Sequence, residues 1–184
     1  MKPKYVERRE FEYERNGTQA LIASFDVSSG KVFGTVEDTR KEVDLKQHVE
    51  QLLSSDSSGK WVIILDQLNT HKSESLVRLV AKYCNIDIDL GIKGKSGILK
   101  SMSTREKFLT DKSHRIHFVY TPKHTSWLNQ VEIWFSILTR RLLKRASFDS
   151  KQELRQCILD FIDYFNDILA HPFKWTYKGK PLTV

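Results

Sequence analysis

The sequence predicts an α/β protein whose mixed sheet is flanked by helices. Three observations lead to this fold class. An early pair of β-prone runs is separated by a turn signal, and two short apolar runs follow farther along the chain. Segments with helical periodicity alternate with these runs, and two long amphipathic segments close the sequence. A strand–helix–strand order favours a parallel crossover, whereas the hairpin adds an antiparallel pair.

The first elements are a hairpin and a helix. Thr18–Val27 and Lys31–Glu37 are β-prone and flank the turn signal Ser28-Ser29-Gly30. Asp26, near the end of the first run, is interpreted as a turn residue. Thr39–Ser54 follows as a helix, with an apolar side predicted to comprise Val43, Val49, Leu52 and Leu53.

The next strand is the short run Trp61–Leu65, whose continuous apolar character predicts burial on both faces. Asp66 stands at its C-terminal end. Ser73 is a good N-cap for a helix that continues to about Cys84.

The second half begins with an irregular segment. Residues 85–111 interleave glycines and lysines and predict a basic loop or insertion, with a helical turn near Thr104–Leu109. Arg115–Tyr120 is the last predicted strand. Helices over Trp127–Leu143 and Lys151–Leu169 follow, and Ser150 with Glu153 has the spacing of a capping box.

Composition limits the class of protein. The 184 residues suit one domain, here predicted as 1–184, with 40% hydrophobic and 29% charged residues. No run is long enough for a membrane span, and the N-terminus does not resemble a signal peptide. Cys84 and Cys157 are too few for a disulfide framework, so we interpret them as core thiols of a cytoplasmic protein. The net charge of +7 favours a polyanionic partner such as DNA.

Two acidic residues stand where chemistry is expected. Asp66 ends a strand, and ligand sites of open α/β sheets lie beyond the carboxyl ends of strands. Glu132 lies early in an apolar helix, on one face with Asn129 and Ser136. Carboxylates from separate elements suit Mg²⁺ or Mn²⁺, and two such ions catalyse phosphoryl transfer.

Each of these residues also has a simpler interpretation. An aspartate after a strand often belongs to a turn, and a glutamate on an amphipathic helix is usually solvated. His71 and His124 lack the companions of a zinc site. The lysines of the irregular segment fit a solvated loop, and Trp127 and Trp134 fit a core position.

Two longer motifs favour the functional interpretation of these residues over the simpler one. Residues 65–72, Leu-Asp-Gln-Leu-Asn-Thr-His-Lys, resemble the block around the second catalytic aspartate of mariner-type transposases. Residues 121–136, from Thr121-Pro122 through Trp-Leu-Asn-Gln-Val-Glu to Ser136, resemble the block that carries the third catalytic acid. Their order and flanking sequence resemble the bacterial insertion-sequence branch of this superfamily.

The resemblance implies an RNase H-like core, a mixed sheet with helices on both faces, and a DDE site. Asp66 and Glu132 would be the second and third catalytic acids and metal ligands of a two-metal Mg²⁺ or Mn²⁺ site. Such enzymes cut transposon ends and join them to a target, typically at TA. Supporting roles fall to Asn69, His71 and Asn129. Candidate DNA-binding residues are Lys93, Lys95, Lys100, Lys123 and His124.

The sequence also departs from the family pattern. The separation from Asp66 to Glu132 is 132 − 66 = 66 positions, longer than is usual, which fits an insertion near 85–111. No helix-turn-helix and no D-E motif precede the hairpin, so we expect the family's first, central strand and first aspartate to be missing.

We therefore expect the C-terminal part of a transposase catalytic domain, inactive alone and localised in the bacterial cytoplasm, at the nucleoid when bound to DNA. Completion by an upstream transposase fragment or by a homodimer is expected. The alternative is a non-catalytic DNA-binding remnant that interferes with an intact transposase.

Overall fold

The computed structural model describes residues 16–123, 125 and 128–174. Within them the chain is mixed α/β, with small sheets and flanking helices, as predicted. The elements are β1 (Ala20–Phe25), β2 (Val32–Glu37), α1 (Glu42–Ser55), β3 (Trp61–Leu65), α2 (Glu74–Tyr83), α3 (Met102–Leu109), β4 (Ile116–Tyr120), α4 (Val131–Leu138) and α5 (Lys151–Tyr164). The π-helical turns Thr139–Leu143 and Phe165–Leu169 extend α4 and α5.

The hairpin forms as predicted, with β1 antiparallel to β2 from Ala20↔Glu37 to Phe25↔Val32. Asp26 organises its turn. Its carboxylate accepts hydrogen bonds from the Ser28 amide at 2.8 Å and from the Ser29 hydroxyl at 2.6 Å. Partial burial opposes ionisation, but the hydrogen bonds from Ser29 and Ser28 prevail and lower the pKa of Asp26. The interpretation of Asp26 as a turn residue is confirmed.

The second sheet pairs β3 with β4 in parallel, from Trp61↔Ile116 to Leu65↔Tyr120. The crossover between them contains α2 and α3. Ser73 caps α2 as predicted, accepting a hydrogen bond from the Leu76 amide. Asp66 follows β3 directly and therefore stands at the carboxyl edge of this sheet.

Both antiparallel and parallel pairs are present, but the described residues do not join them into one sheet. There, β1 pairs only with β2, and β3 only with β4. The outer edges of β1 and β3 consequently present backbone donors and acceptors without a ladder partner from the described part of the chain. That the family's first, central strand is missing stays a prediction.

The prediction that β3 is buried on both faces is wrong. Val62 is 57% exposed and Ile64 is 50% exposed, and Val119 beside them on β4 is 41% exposed. Helices α1–α3 cover the other face, where Phe118 is buried. A continuous apolar run cannot distinguish a strand covered on two faces from one covered on a single face.

Helix boundaries and faces also differ in detail. Helix α1 starts three residues later than predicted, and Val43 is 50% exposed because Leu45 and His48 take the inward positions. The predicted helix from Trp127 is α-helical only over Val131–Leu138; Trp127 itself lies outside the described residues. In α5, Ser150 accepts from the Glu153 amide, whereas the Glu153 carboxylate accepts from the Asp149 amide.

Two apolar cores hold these elements. The first lies between α1–α3 and the β3–β4 pair, and the second between the hairpin, α4 and α5. The hairpin contributes to both, because Ile22 packs on the first core while Leu21 and Ala23 pack on the second. Cys84 and Cys157 are half-buried free thiols. No helix in the described segments is long and apolar enough to cross a membrane.

The segment 85–111 is partly a loop, as predicted, and partly core. Gly91, Gly94 and Gly97 adopt positive φ in its first half. Leu99 and Leu109 are completely buried in the first core, and Phe108 is 8% exposed. The helix here, α3, starts at Met102 behind the cap Ser101, earlier than the predicted turn. That the segment is an insertion stays a prediction.

His48 joins α1 to the hairpin. Its ring is only 2% exposed and lies between two hydroxyl groups, with Nε2 2.8 Å from Ser24 Oγ and Nδ1 3.2 Å from Thr35 Oγ1. Burial lowers the pKa of His48 to about 4. The imidazole is therefore neutral in the folded protein at neutral pH.

This burial predicts an acid-sensitive stability. Because the pKa of His48 is about 4 when folded and 6.5 as a free side chain, the unfolded chain binds the proton first as the pH falls. As the pH falls from 6.5 to 4, this difference should lower the free energy of unfolding by on the order of 3 kcal/mol. Urea unfolding at several pH values measures the loss, and His48→Gln should show a flatter profile over that window. Parallel profiles would contradict the assignment.

Candidate functional site

Asp66 lies directly after β3, in the loop that leads to the 3₁₀ turn Asn69–Lys72. Its Oδ1 lies 2.7 Å from His71 Nδ1 and accepts a hydrogen bond from the Leu68 amide at 3.0 Å. Since a carboxylate can only accept, Nδ1 of His71 carries the proton in this contact. No described residue bonds to Oδ2 of Asp66, which leaves one carboxylate oxygen for a ligand.

His71 is thus placed as an orienting partner of Asp66. The same Nδ1 lies 3.2 Å from the Asp66 carbonyl oxygen, and the Tyr120 hydroxyl donates to the His71 carbonyl oxygen at 2.7 Å. Asn69 begins the 3₁₀ turn Asn69–Lys72 that carries His71 back toward Asp66. Desolvation raises the pKa of Tyr120, so its hydroxyl stays a donor.

Lys72 was not among the site residues predicted from the sequence, but its contacts hold this loop in place. Its side chain is 11% exposed, and Nζ donates to Gln67 Oε1 at 2.7 Å and to Glu106 Oε2 at 2.9 Å. Nζ also lies 4.8 Å from the centroid of the Tyr120 ring. Arg105 donates to the Lys72 carbonyl oxygen at 2.7 Å. In the sequence, nothing distinguishes Lys72 from a solvent-exposed lysine except its position next to His71.

Glu132 lies in the first turn of α4, next to the buried Val131, and Trp134 of the same helix packs in the second core. Its side chain is exposed, and no described residue forms a hydrogen bond or ion pair with its carboxylate. Ser136 lies one turn later and lines the same cleft, as the shared-face prediction implies. Asn129 Oδ1 accepts from the Val131 amide at 3.4 Å, which places it at the helix start.

The donor chemistry fits a hard divalent ion, although incompletely. Asp66 and Glu132 each offer free carboxylate oxygen, the ligand type of Mg²⁺ and Mn²⁺. However, no group of three or more His, Cys, Asp or Glu side chains assembles as a metal site among the residues that the structure describes. A two-metal centre needs further acidic ligands.

The predicted DNA-binding lysines lie in different surroundings. Lys95, Lys100 and Lys123 are exposed. Lys93 lies 3.7 Å from Glu42 and 3.8 Å from Glu74, which partly neutralises its charge. His124 is outside the described residues.

A second basic group was missed by the sequence analysis. Arg140, Arg141, Lys144 and Arg145 are exposed along the end of α4 and its π-helical turn. None of the ion pairs within the described ranges uses them. Arg140 and Lys144 line the cleft of about 450 Å³ that also contains Glu132. The sequence does contain a signal for this group, because four of the six residues 140–145 are Lys or Arg. Helical periodicity alone predicts only that a helix ends there.

An oriented aspartate beyond a strand and a free glutamate on a helix offer oxygen ligands of the type that divalent metal ions take, and unpaired cations suit the phosphates of DNA. The family model described as DDE superfamily endonuclease matches residues 2–155, and the chain belongs to this family. No curated protein and no solved structure matches the chain. Membership implies DNA as the substrate class and a divalent metal as the cofactor class, and it confirms the DDE part of the predicted resemblance.

The environment of Lys72 generates a stability prediction with a matched control. Lys82 also pairs with a glutamate, Glu50, and lies 5.3 Å from a tyrosine ring, but its side chain is 71% exposed. Lys72→Met should lower the unfolding free energy by about 1–3 kcal/mol because it leaves Gln67 Oε1 without its donor in a half-buried network. Lys82→Met should change it by less than about 0.5 kcal/mol. Equal costs in urea unfolding would show that Lys72 does not anchor the loop.

Proposed function

We propose that this chain is the C-terminal part of a transposase catalytic domain from the mariner-type superfamily, in its bacterial insertion-sequence branch. In the intact protein it would cut DNA at transposon ends and transfer the freed strand, with TA as the target. The observation that carries the proposal is the Asp66–His71 pair at the end of β3, followed in order by a free Glu132 within a DDE endonuclease match. Its working location would be the bacterial cytoplasm, at the nucleoid.

In this proposal Asp66 and Glu132 hold Mg²⁺ or Mn²⁺ through their free oxygens. The bound ions would supply Lewis-acid activation of the attacking oxygen and charge stabilisation at the scissile phosphate. His71 holds the Asp66 carboxylate in one orientation, as outer-sphere partners of metal ligands do. Asn69 and Asn129 fix the starts of the 3₁₀ turn and of α4 respectively.

The site requires a third acid, which we propose comes from outside the described residues. Two observations support this. The described residues contain no three-acid group, and the outer edges of β1 and β3 have no strand partner there. A strand inserted between these edges would satisfy both and carry the acid. An upstream transposase fragment is our first choice for its source, and a second copy of this chain is the other.

DNA contacts are proposed for Lys95, Lys100, Lys123 and His124, with Lys93 the weakest member because of its two acidic neighbours. The cations of residues 140–145 add phosphate contacts next to Glu132. These cations have no ion-pair partner in the described structure and can bind phosphates without a metal ion. They therefore also favour the second candidate function, a DNA-binding remnant that competes with an intact transposase.

Metal binding by the chain alone tests the site. Free Mn²⁺ measured by electron paramagnetic resonance should report binding that Asp66→Asn or Glu132→Gln weakens by about tenfold or more, because each removes a charged oxygen ligand. Asp26→Asn is the control, since it removes an equal charge from a turn. If all three variants bind like the parent, Asp66 and Glu132 do not hold the metal.

Cleavage separates the two candidate functions. The chain should cut end-containing DNA with Mn²⁺ only when it is expressed together with the segment encoded immediately upstream, and Glu132→Gln should abolish that activity. A complementing segment that fails to restore cleavage, together with metal-independent DNA binding, would favour the remnant.

A further inference from the structure

A cavity on the opposite side of α4 from Glu132 has no role in the proposed chemistry. It measures about 670 Å³, within the range of small-molecule sites. We propose that it binds one unstacked nucleotide of a DNA strand, with the base among aromatic side chains and the phosphates on arginines. The proposal deepens the proposed function, because it places part of the DNA substrate; binding itself requires no metal.

The cavity floor is aromatic. Phe25 at the end of β1, Trp134 on α4 and Phe165 after α5 all line it. The rings of Trp134 and Phe165 meet edge to face, with centroids 6.2 Å apart. Phe25 and Phe173 are half-buried and offer ring surface on which a base can stack with little preference for sequence, whereas Trp134 and Phe165 are 1% and 6% exposed and pack in the second core.

Two buried polar atoms in the lining lack partners. Trp134 is 1% exposed, and its Nε1 has no hydrogen-bond acceptor in the described structure. Gln130 Oε1 is likewise buried and has no donor. Native proteins rarely leave such atoms unmatched. A nucleobase edge carries both a donor and an acceptor, whereas a fatty-acid tail carries neither.

The rim of the cavity is cationic. Arg140, Arg141 and Arg145 line it, and these side chains have no carboxylate partner in the described ranges. Guanidinium groups bind phosphate oxygens in a bidentate manner. Aromatic surface inside and guanidinium groups at the mouth match a nucleotide better than an acidic peptide, whose side chains do not need a flat stacking surface.

Arg140 connects this cavity with the proposed catalytic cleft. It lines both, whereas Glu132 lines the cleft and Trp134 the cavity. A strand whose phosphate lies at Glu132 can therefore pass Arg140 and place a neighbouring base in the cavity. Unstacking costs least in a single-stranded or distorted DNA end.

The far wall depends on one close backbone approach. Residues 171–173 cross the hairpin turn, where the Phe173 amide donates to the Val27 carbonyl oxygen at 3.1 Å. Gly30, at φ 77°, permits this crossing, because a Cβ there would lie 1.9 Å from the His171 carbonyl oxygen. The wall is thus fixed to the hairpin turn.

The test is photocrosslinking in EDTA. The probe is a single-stranded oligonucleotide of about twelve nucleotides that contains one 5-iododeoxyuridine. We expect adducts on peptides that contain Phe25 or Phe173, located by mass spectrometry. Ile133→Glu, at an exposed position of the cavity lining, should weaken probe binding by about tenfold and remove these adducts.

The matched control is Ile168→Glu, which makes the same change at an exposed isoleucine outside the lining. It should leave the adducts and change affinity by less than about twofold, as expected for one distant charge. Arg141→Gln with Arg145→Gln should weaken binding more than Lys107→Gln with Lys112→Gln, which removes the same charge elsewhere. Thermal melts confirm that each variant is folded.

Three results would overturn the proposal. They are adducts confined to the lysines of 93–100, equal binding by Ile133→Glu and Ile168→Glu, and displacement of the probe by an acidic amphipathic peptide at lower concentration than by DNA. Glu132→Gln should retain the adducts. If the parent chain forms the adducts but does not cleave DNA even with the upstream segment, only the proposed catalytic function is refuted, and cleavage without adducts refutes only the cavity.

Discussion

The need of strand edges for hydrogen-bond partners is the constraint on which the whole arrangement depends. Each sheet in the described part of the chain has two strands, fewer than an independently stable sheet normally needs. Helices compensate by packing on the sheet faces: α5 and α1 on the hairpin, and α1–α3 on one side of β3 and β4. His48, between two hydroxyls, ties the hairpin to α1. Helices cannot supply backbone hydrogen-bond partners for the outer edges of β1 and β3.

This scaffold fixes the positions of the proposed catalytic groups. Asp66 follows the last residue of β3, and its loop is held by three polar anchors: Lys72 through Gln67, Tyr120 through the His71 carbonyl, and His71 through the carboxylate itself. Tyr120 belongs to β4 and packs against the first core, and Lys72 also bonds to Glu106 of α3, so the position of Asp66 is coupled to that core. Glu132 instead depends on the packing of Trp134 in the second core.

Much of the fold followed from local sequence signals. The hairpin with its Asp26 turn, both parallel strands and the capped helices α2 and α5 were predicted, because turn residues, caps and apolar periodicity act within a few positions. The exposed face of Val62 and Ile64 was not predictable, since it depends on what covers the strand. Lys72 and the cations of 140–145 were missed for a similar reason: burial and lack of an ion-pair partner are tertiary properties. For Asp66 and Glu132 the longer motifs, not the isolated acids, carried the prediction.

The division into two cores has a consequence for the proposed site. Asp66 is attached to the first core and Glu132 to the second, and the hairpin packs on both. A substitution in the hairpin that loosens either contact would therefore alter the separation of the two proposed acids without touching either of them.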